Sequence, residues 1–193
     1  MALPLSDQEE LAQRKAKKFS LWLSMIGLFM MFAALSSGFI VYTQGGIDKG
    51  LKTILPSSFI YSTIVIVVSS LTMQLAFQAA KSEQRKKQIG LGFATIFLGM
   101  VFFVLQVESW NILIERGIFF INSNASQSFI YIFTGMHLAH ILAGFVVVFR
   151  ALWGSWKGIS TVNNVFRMDL ATIFWHFLGI LWIYIYVFLL LNQ

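Results

Sequence analysis

Long apolar blocks separated by short polar stretches dominate the chain. Five blocks are long enough to cross a membrane, at about 19–43, 59–80, 89–107, 129–149 and 170–191. A helix needs about 20 mostly apolar residues to cross a hydrocarbon core about 30 Å thick. Because unpaired backbone groups are costly in lipid, each block is predicted to be a helix even where Val and Ile are dense. The pattern predicts an all-α membrane protein, with a bundle of five transmembrane helices forming one domain over residues 1–193.

Composition agrees with a chain that lives in a bilayer. Of its 193 residues 58% are hydrophobic and 11% are charged, and the mean hydropathy is +0.75, which is unlike soluble globular proteins. The net charge of +6 sits in short segments between apolar blocks, so it is interpreted as a topology signal and no nucleic-acid partner is predicted. The chain has no cysteine, which excludes disulfides and thiolate metal ligands. We expect no cleaved targeting sequence, because the first apolar block is too long for a signal peptide.

Positive charge is divided unequally between the two ends of the predicted helices. Lys49, Lys52 and Arg116 are the three basic residues on one side. Eleven lie on the other side, namely Arg14, Lys15, Lys17, Lys18, Lys81, Arg85, Lys86, Lys87, Arg150, Lys157 and Arg167. Since cytoplasmic segments of membrane proteins are enriched in Lys and Arg, we predict a cytoplasmic N-terminus and a C-terminus outside.

Small residues recur at helical spacing in the first three helices. In lipid such stripes favour close contact between helices. The predicted contact faces are Gly27, Ala34 and Gly38 in the first helix, Ser62, Ser69, Ala76 and Ala80 in the second, and Gly92, Gly99 and Gln106 in the third. Packing within the bundle is favoured over a ligand role, and a partner protein could also use one of these faces.

The three histidines are the main candidates for chemistry, because ionisable groups at membrane depth are costly. His137 and His140 share one face of the fourth helix with Thr134 and Gly144, and His176 lies in the fifth helix. One interpretation is a metal site made by the three imidazoles. The sequence offers no carboxylate in the same layer as a further ligand, which favours the other interpretation: neutral histidines that pack and form hydrogen bonds between helices. No metal or cofactor is predicted in this chain.

Glu108 and Trp110 are predicted to lie where the third helix meets the outer surface. A carboxylate at that depth is most often solvated or paired, and an aromatic residue beside it is typical of the interfacial belt. A transporter usually carries charges near the midplane or paired broken helices. Neither feature is present in the sequence, so transport by this chain alone is disfavoured.

Several stretches resemble subunit III of cytochrome c and quinol oxidases, the haem-copper oxidase subunit III family. FTGMHLAHILAG at 133–144 resembles the family's TGxHxxHxxxG signature in the penultimate helix, and FWHFLGILW at 174–182 resembles its WHFxDxxW element in the last helix. SSLTMQLA at 69–76 is a supporting match, as is the segment 106–110, which is similar to a Q-x-x-E-W pattern with one inserted serine. The matches follow the family's order, and the chain resembles its short five-helix bacterial form.

Two acids of the family pattern are missing from this chain. A buried Ser-Glu pair in the first helix falls on Gly27 and Leu28, and an Asp in the last helix falls on Gly179. Roles assigned to those acids in relatives cannot be carried over. The two losses indicate a divergent bacterial branch.

The resemblance implies an accessory, metal-free subunit of a proton-pumping terminal oxidase that reduces oxygen to water in a bacterial inner membrane. Haem and copper are expected in partner subunits, and no catalytic residues are expected in this chain. The implied partners are the catalytic subunit I, subunits II and IV, bound phospholipid and, as an open possibility, a larger respiratory supercomplex. The residues expected to have structural or lipid-contact roles are Glu108, Trp110, Thr134, His137, His140, Trp175 and His176.

Alternatives stay open at this point. The chain could be an independent membrane metalloprotein that uses His137, His140 and His176. It could also be subunit III of a quinol oxidase, because the contacts that select cytochrome c or quinol lie on other subunits. A small transporter or channel ranks below these.

Overall fold

Five α-helices account for nearly all of the computed structural model, which describes residues 5–45, 55–121 and 125–192. In chain order they are α1 Leu5–Gly45, α2 Ser58–Lys81, α3 Arg85–Glu115, α4 Ala125–Trp156 and α5 Thr161–Leu191. Each of the five is long and apolar enough to cross a membrane. The predicted class, an all-α protein with five membrane helices, is confirmed. Lys49 and Lys52, which entered the charge count, lie outside the described residues.

Four of the helices extend beyond the predicted apolar blocks. α1 begins at Leu5 rather than at 19, and α5 begins at Thr161 rather than at 170. Hydropathy identifies only the apolar part of a helix. The polar flanks contain Arg, Lys and Gln, which are good helix formers, so the helix continues into them. The ends are set by turn chemistry. Gly117 and Gly158, which follow α3 and α4, have φ values of +76° and +73°, a conformation that favours glycine after a helix.

The helices α2, α3, α4 and α5 form a closed ring. The packed pairs are α2 with α3, α3 with α4, α4 with α5, and α5 with α2. Within the described residues, α1 packs only against α4 and α5, on the outside of this ring. The largest fully buried side chains of the ring, including Trp175, Trp182 and Phe102, fill its interior.

The contact faces predicted for α2 and α3 are confirmed. Every predicted member is buried: Ser62, Ser69, Ala76, Ala80, Gly92, Gly99 and Gln106. At Gly92 an added Cβ would overlap the side chain of Leu152 on α4, and at Gly99 it would lie 2.5 Å from Phe145 Cε1. Glycine therefore lets α3 and α4 approach closely, as small residues do in membrane helix pairs.

The contact face predicted for α1 is wrong. Gly27, Ala34 and Gly38 are exposed, and an added Cβ at Gly27 would meet nothing within 4 Å. The stripe that α1 buries consists of larger side chains, Met25, Phe32, Ser36 and Phe39. Because α1 lies outside the ring, interdigitating side chains rather than close backbone contacts attach it to α4 and α5.

Candidate functional site

Trp175 lies at the centre of the ring and is fully buried. Its indole Nε1 donates a hydrogen bond of 3.0 Å to Ser69 Oγ on α2. Gly99 on α3 and Gly144 on α4 make room for the indole, since Cβ atoms added there would lie 2.9 Å and 3.2 Å from its ring carbons. Trp175 of α5 therefore contacts all three other helices of the ring. The motif segments of α4 and α5 meet at this residue.

His137 is enclosed by aromatic side chains and is fully buried. Its ring centroid lies 5.8 Å from that of Phe102 on α3 and 5.3 Å from that of Trp182 on α5. Neither ring nitrogen has a hydrogen-bond partner among the described residues. Trp182 donates its Nε1–H to Thr63 Oγ1 on α2, at 3.0 Å. His137 thus packs as an aromatic ring. The expected hydrogen bond from its imidazole to another helix is not formed with any described residue.

His140 and His176 lie on different outer sides of the ring. His140 Nδ1 is 2.6 Å from the carbonyl oxygen of Met136, one turn earlier in the same helix. Its ring packs edge-on against Phe32 of α1, with a centroid separation of 6.1 Å. His176 Nε2 is 3.1 Å from Gln74 Oε1 on α2. Of the three histidines, only His176 therefore forms a hydrogen bond between two of the described helices.

The three histidines do not converge on one point. His137 faces α3 and α5, His140 faces α1, and His176 faces α2. Over residues 5–45, 55–121 and 125–192, no group of three or more His, Cys, Asp or Glu side chains is placed to hold a metal ion. The geometry does not support a metal site built from the three imidazoles.

Trp110 and Thr134 connect α3 to α4. Trp110 Nε1 donates a hydrogen bond of 2.9 Å to Thr134 Oγ1, which in turn donates to the carbonyl oxygen of Ile130 at 2.8 Å. Thr134 is fully buried and Trp110 is half-buried, whereas Glu108 is exposed on α3 and lies outside the ring. Trp110 is therefore an element of the packing between α3 and α4.

A buried polar cluster that the sequence analysis missed joins α3, α4 and α5. Gln88 Nε2 donates to Asn164 Oδ1 at 3.1 Å, and Asn164 Nδ2 donates to Gln88 Oε1 at 2.9 Å. Ser155 Oγ also donates to Gln88 Oε1, at 3.1 Å. All three residues lie just beyond the apolar blocks that were taken as helices. The available signal was the stripe of Gly92, Gly99 and Gln106, because extending it back by one turn reaches Gln88.

The two positions that match the missing family acids have different surroundings. Gly179 is buried in α5, and an added Cβ would lie 3.0 Å from Ser70 Oγ on α2. Leu28 is half-buried in α1 and packs against the hydrophobic core. A carboxylate at Gly179 would require Ser70 to move, whereas Leu28 lies on the loosely packed helix.

Comparisons with known proteins confirm the family resemblance that was based on the motifs of α4 and α5. A profile of the family described as cytochrome c oxidase subunit III matches residues 13–192. The chain is similar to the cytochrome bo(3) ubiquinol oxidase subunit 3 of Pseudomonas aeruginosa, with 29% identity over 174 residues that cover 87% of this chain and 81% of the relative. It is also similar to the protein of the same description in Buchnera aphidicola, with 27% identity over 192 residues, 97% of this chain and 91% of the relative.

The chain also matches a subunit of a cytochrome c oxidase, rather than of a ubiquinol oxidase, over nearly the same length. The chain is 26% identical to the cytochrome c oxidase subunit 3 of Bacillus sp. strain PS3 over 176 residues, which cover 89% of this chain and 84% of the relative. The family profile spans most of α1, from residue 13 onward, and the whole ring. The chain therefore belongs to the cytochrome c oxidase subunit III family.

Proposed function

We propose that this chain is the accessory, metal-free subunit III of a proton-pumping terminal oxidase, which reduces oxygen to water in aerobic respiration. The proposal rests on where the motif residues lie and what they contact. Thr134, His137 and Trp175 are all buried within the ring, where they pack helices together. Such residues build a stable membrane scaffold, and no described cluster of side chains offers ligands for a redox metal.

Electron transfer and oxygen chemistry then belong to partner chains. Haem and copper would be held by the catalytic subunit I and its companions, among them subunits II and IV. The relatives named above include both ubiquinol oxidase and cytochrome c oxidase subunits. For this reason the proposal covers both electron donors, and quinol oxidase remains the specific alternative.

Purification from the native membrane tests the proposed function. A tag on this chain, pulled down in mild detergent, should bring a larger membrane protein in equal amount together with the visible absorption of haem. Isolation of the chain without any haem protein would overturn the proposal. Oxygen consumption by the purified complex with reduced cytochrome c, compared with a quinol, then identifies the donor.

We also propose that the chain spans a bacterial inner membrane with its N-terminus in the cytoplasm. The excess of Lys and Arg at the proposed cytoplasmic ends supports this orientation. Since the chain has no cysteine, single cysteines can report on each side. An impermeant maleimide should label Glu115→Cys in intact cells, and it should label Gln8→Cys only after permeabilisation. The reverse pattern would invert the proposed topology.

A basic groove between α1, α4 and α5 supports a phospholipid-binding role. The groove has a volume of about 650 Å³, and its cations are Arg14, Lys17, Arg150 and Arg167. Of these four cations, only Arg14 has an acidic partner among the described residues, Glu10, at 3.3 Å. Apolar side chains, among them Val147, Ala151 and Phe166, also line the groove. Because basic pockets between membrane helices suit lipid headgroups, we propose that an anionic phospholipid binds here.

Neutralising this groove tests the lipid proposal. The double variant Arg150→Gln with Arg167→Gln should lose anionic phospholipid from the purified protein, as measured by native mass spectrometry. Lys86→Gln with Lys87→Gln is the matched control, because these exposed residues of α3 remove the same charge without lining the groove. Equal lipid content in both variants would contradict a site in the groove.

A further inference from the structure

One polar pair on the outer side of the bundle has unused hydrogen-bonding groups. His176 on α5 and Gln74 on α2 are both half-buried and are joined by the bond from His176 Nε2 to Gln74 Oε1. A neutral imidazole that donates from Nε2 has an acceptor at Nδ1, and the amide of Gln74 has two donors on Nε2. Within the described residues these atoms have no partner, and they are not enclosed by protein.

The pair lies well inside the membrane. Gln74 is seven residues before Lys81, the charged end of α2, and His176 is seven residues after Asp169, which is paired with Lys18 at 2.9 Å. At 1.5 Å per helical residue, both side chains lie about 10 Å below that charged level. Lipid at this depth offers only hydrocarbon chains, which cannot bond to an amide or an imidazole. Unsatisfied polar groups are costly there.

Several other polar side chains in the apolar part of the helices are satisfied within the bundle. Thr72 and Thr95 hydrogen-bond to each other at 2.9 Å, and Ser36 bonds to Tyr184 at 2.7 Å. His140, the other half-buried histidine, bonds to a carbonyl of its own helix. His137 and Thr172 also have polar atoms without a partner among the described residues, but those atoms are enclosed by protein. Gln74 and His176 are only half-buried, so a partner from outside the chain can reach their open donors and acceptor.

We propose that the face formed by α2 and α5 around Gln74 and His176 docks a transmembrane helix of the oxidase core. This inference rests on the proposed function. The unused groups, an amide donor beside an imidazole acceptor, complement a side chain that can donate and accept at once, such as a hydroxyl, a carboxamide or a protonated carboxyl. Exposed apolar neighbours, Leu71 on α2 and Ile180 on α5, supply the surrounding contact area.

Site-specific photo-cross-linking in the native membrane tests the docking face. A benzophenone amino acid would replace Leu71 or Ile180, which are 61% and 66% exposed, and in the control it would replace Phe97 on α3, which is 62% exposed. The first two positions should cross-link to the haem-binding core chain, identified by mass spectrometry, and Phe97 should not. Cross-links to the core from Phe97 alone, or from none of the three positions, would overturn the inference.

A pair of variants provides an independent test in detergent. His176→Leu should reduce the core protein retained on this chain roughly three- to tenfold, the range expected from hydrogen bonds between membrane helices. Tyr184→Phe, which removes a hydrogen bond to α1 elsewhere in the bundle, should leave retention unchanged. Equal retention in both variants would count against a bond from His176 to the core.

The outcomes separate this inference from the proposed function. If the core co-purifies with the unmodified chain but cross-links only through α3, the proposed function stands and the docking face is wrong. If no haem protein co-purifies and no cross-link to one forms, both are wrong.

Discussion

The ring of α2 to α5 and the outer helix α1 are similarly apolar but are held in place by different interactions. Within the ring, Trp175 is packed against Gly99 and Gly144, and its indole is hydrogen-bonded to Ser69. α1 is attached through a stripe of large side chains and through a few polar contacts at its sides, such as the one from Ser36. Apolar character places a helix in the membrane, whereas small residues and interior hydrogen bonds determine which helices pack closely.

The same division applies to the residues that carry the resemblance. Trp175, His137 and Thr134, which match the family signatures, are all in the ring. Leu28, where the resemblance leads one to expect an acid, belongs to the peripheral α1. Substitutions that open a cavity or crowd a close helix contact should therefore be tolerated less well in the ring than in α1.

Removing the central indole should have the largest effect. Trp175→Ala should lower the free energy of unfolding by about 3–5 kcal/mol, because it leaves a cavity at the meeting point of four helices. Trp22→Ala is the control, since Trp22 on α1 is 51% exposed and its loss should change stability by no more than about 0.5 kcal/mol. Equilibrium unfolding in mixed micelles measures both values. Similar losses would remove the distinction between the ring and α1.

Filling a close helix contact should have the next largest effect. Gly99→Leu should cost about 1–3 kcal/mol, because the new side chain must displace Phe145 and Trp175. Gly27→Leu, on the open side of α1, should leave the thermal midpoint unchanged. The midpoints of thermal unfolding check the pair, and a large drop for Gly27→Leu would show that α1 packs against more than the structure indicates.

Two substitutions near the aromatic cluster should change stability in opposite directions. His137→Leu should be neutral or stabilising by up to about 1 kcal/mol, since it removes a buried imidazole without hydrogen-bond partners among the described residues. Thr134→Val should destabilise by about 1 kcal/mol, because the indole N–H of Trp110 loses its acceptor. Chemical unfolding of the two variants measures both changes. A marked loss of stability in His137→Leu would mean that the imidazole has a bound partner.

The smallest effect is expected where α1 meets α5. Tyr184→Phe should cost about 0.6 kcal/mol, the average for such a bond between membrane helices, because it removes the bond of 2.7 Å between Ser36 and Tyr184. Hydrogen exchange should become faster in α1 and stay unchanged in the ring. Tyr186→Phe is the control, since no hydrogen bond of its hydroxyl is formed with the described residues. Faster exchange in the ring would contradict the separate attachment of α1.

The fold class could be predicted from the sequence because the membrane imposes length and composition on each helix. Hydropathy could not set the ends. Gln88, Ser155 and Asn164 lie in the polar flanks, where a helix continues without being apolar, and so their buried cluster was missed. The small-residue stripes were informative for α2 and α3, which are surrounded by neighbours. The same pattern misled for Gly27 on α1, because spacing alone does not tell whether a neighbouring helix is present.

The candidate site could be predicted only in part. The spacing in α4 put Thr134, His137 and His140 on one face of the helix, but it did not reveal that Thr134 and His137 are buried in the ring while His140 lies against α1. Whether an imidazole is hydrogen-bonded depends on side chains from other helices. Gln74, which meets His176, is far away in sequence, and its place in the segment SSLTMQLA did not indicate that the two side chains meet.

The length of α1 has a mechanical consequence. Its 41 residues extend about 60 Å, roughly twice the thickness of the hydrocarbon layer, without a break between the charged and the apolar parts. Where the charged part gives way to the apolar part, α1 is held against α5 by the contacts of Lys18 with Asp169 and of Arg14 with Asn163. The charged part is therefore a rigid arm whose direction follows the tilt of the membrane part. A force applied to the charged part would therefore change the tilt of the whole helix.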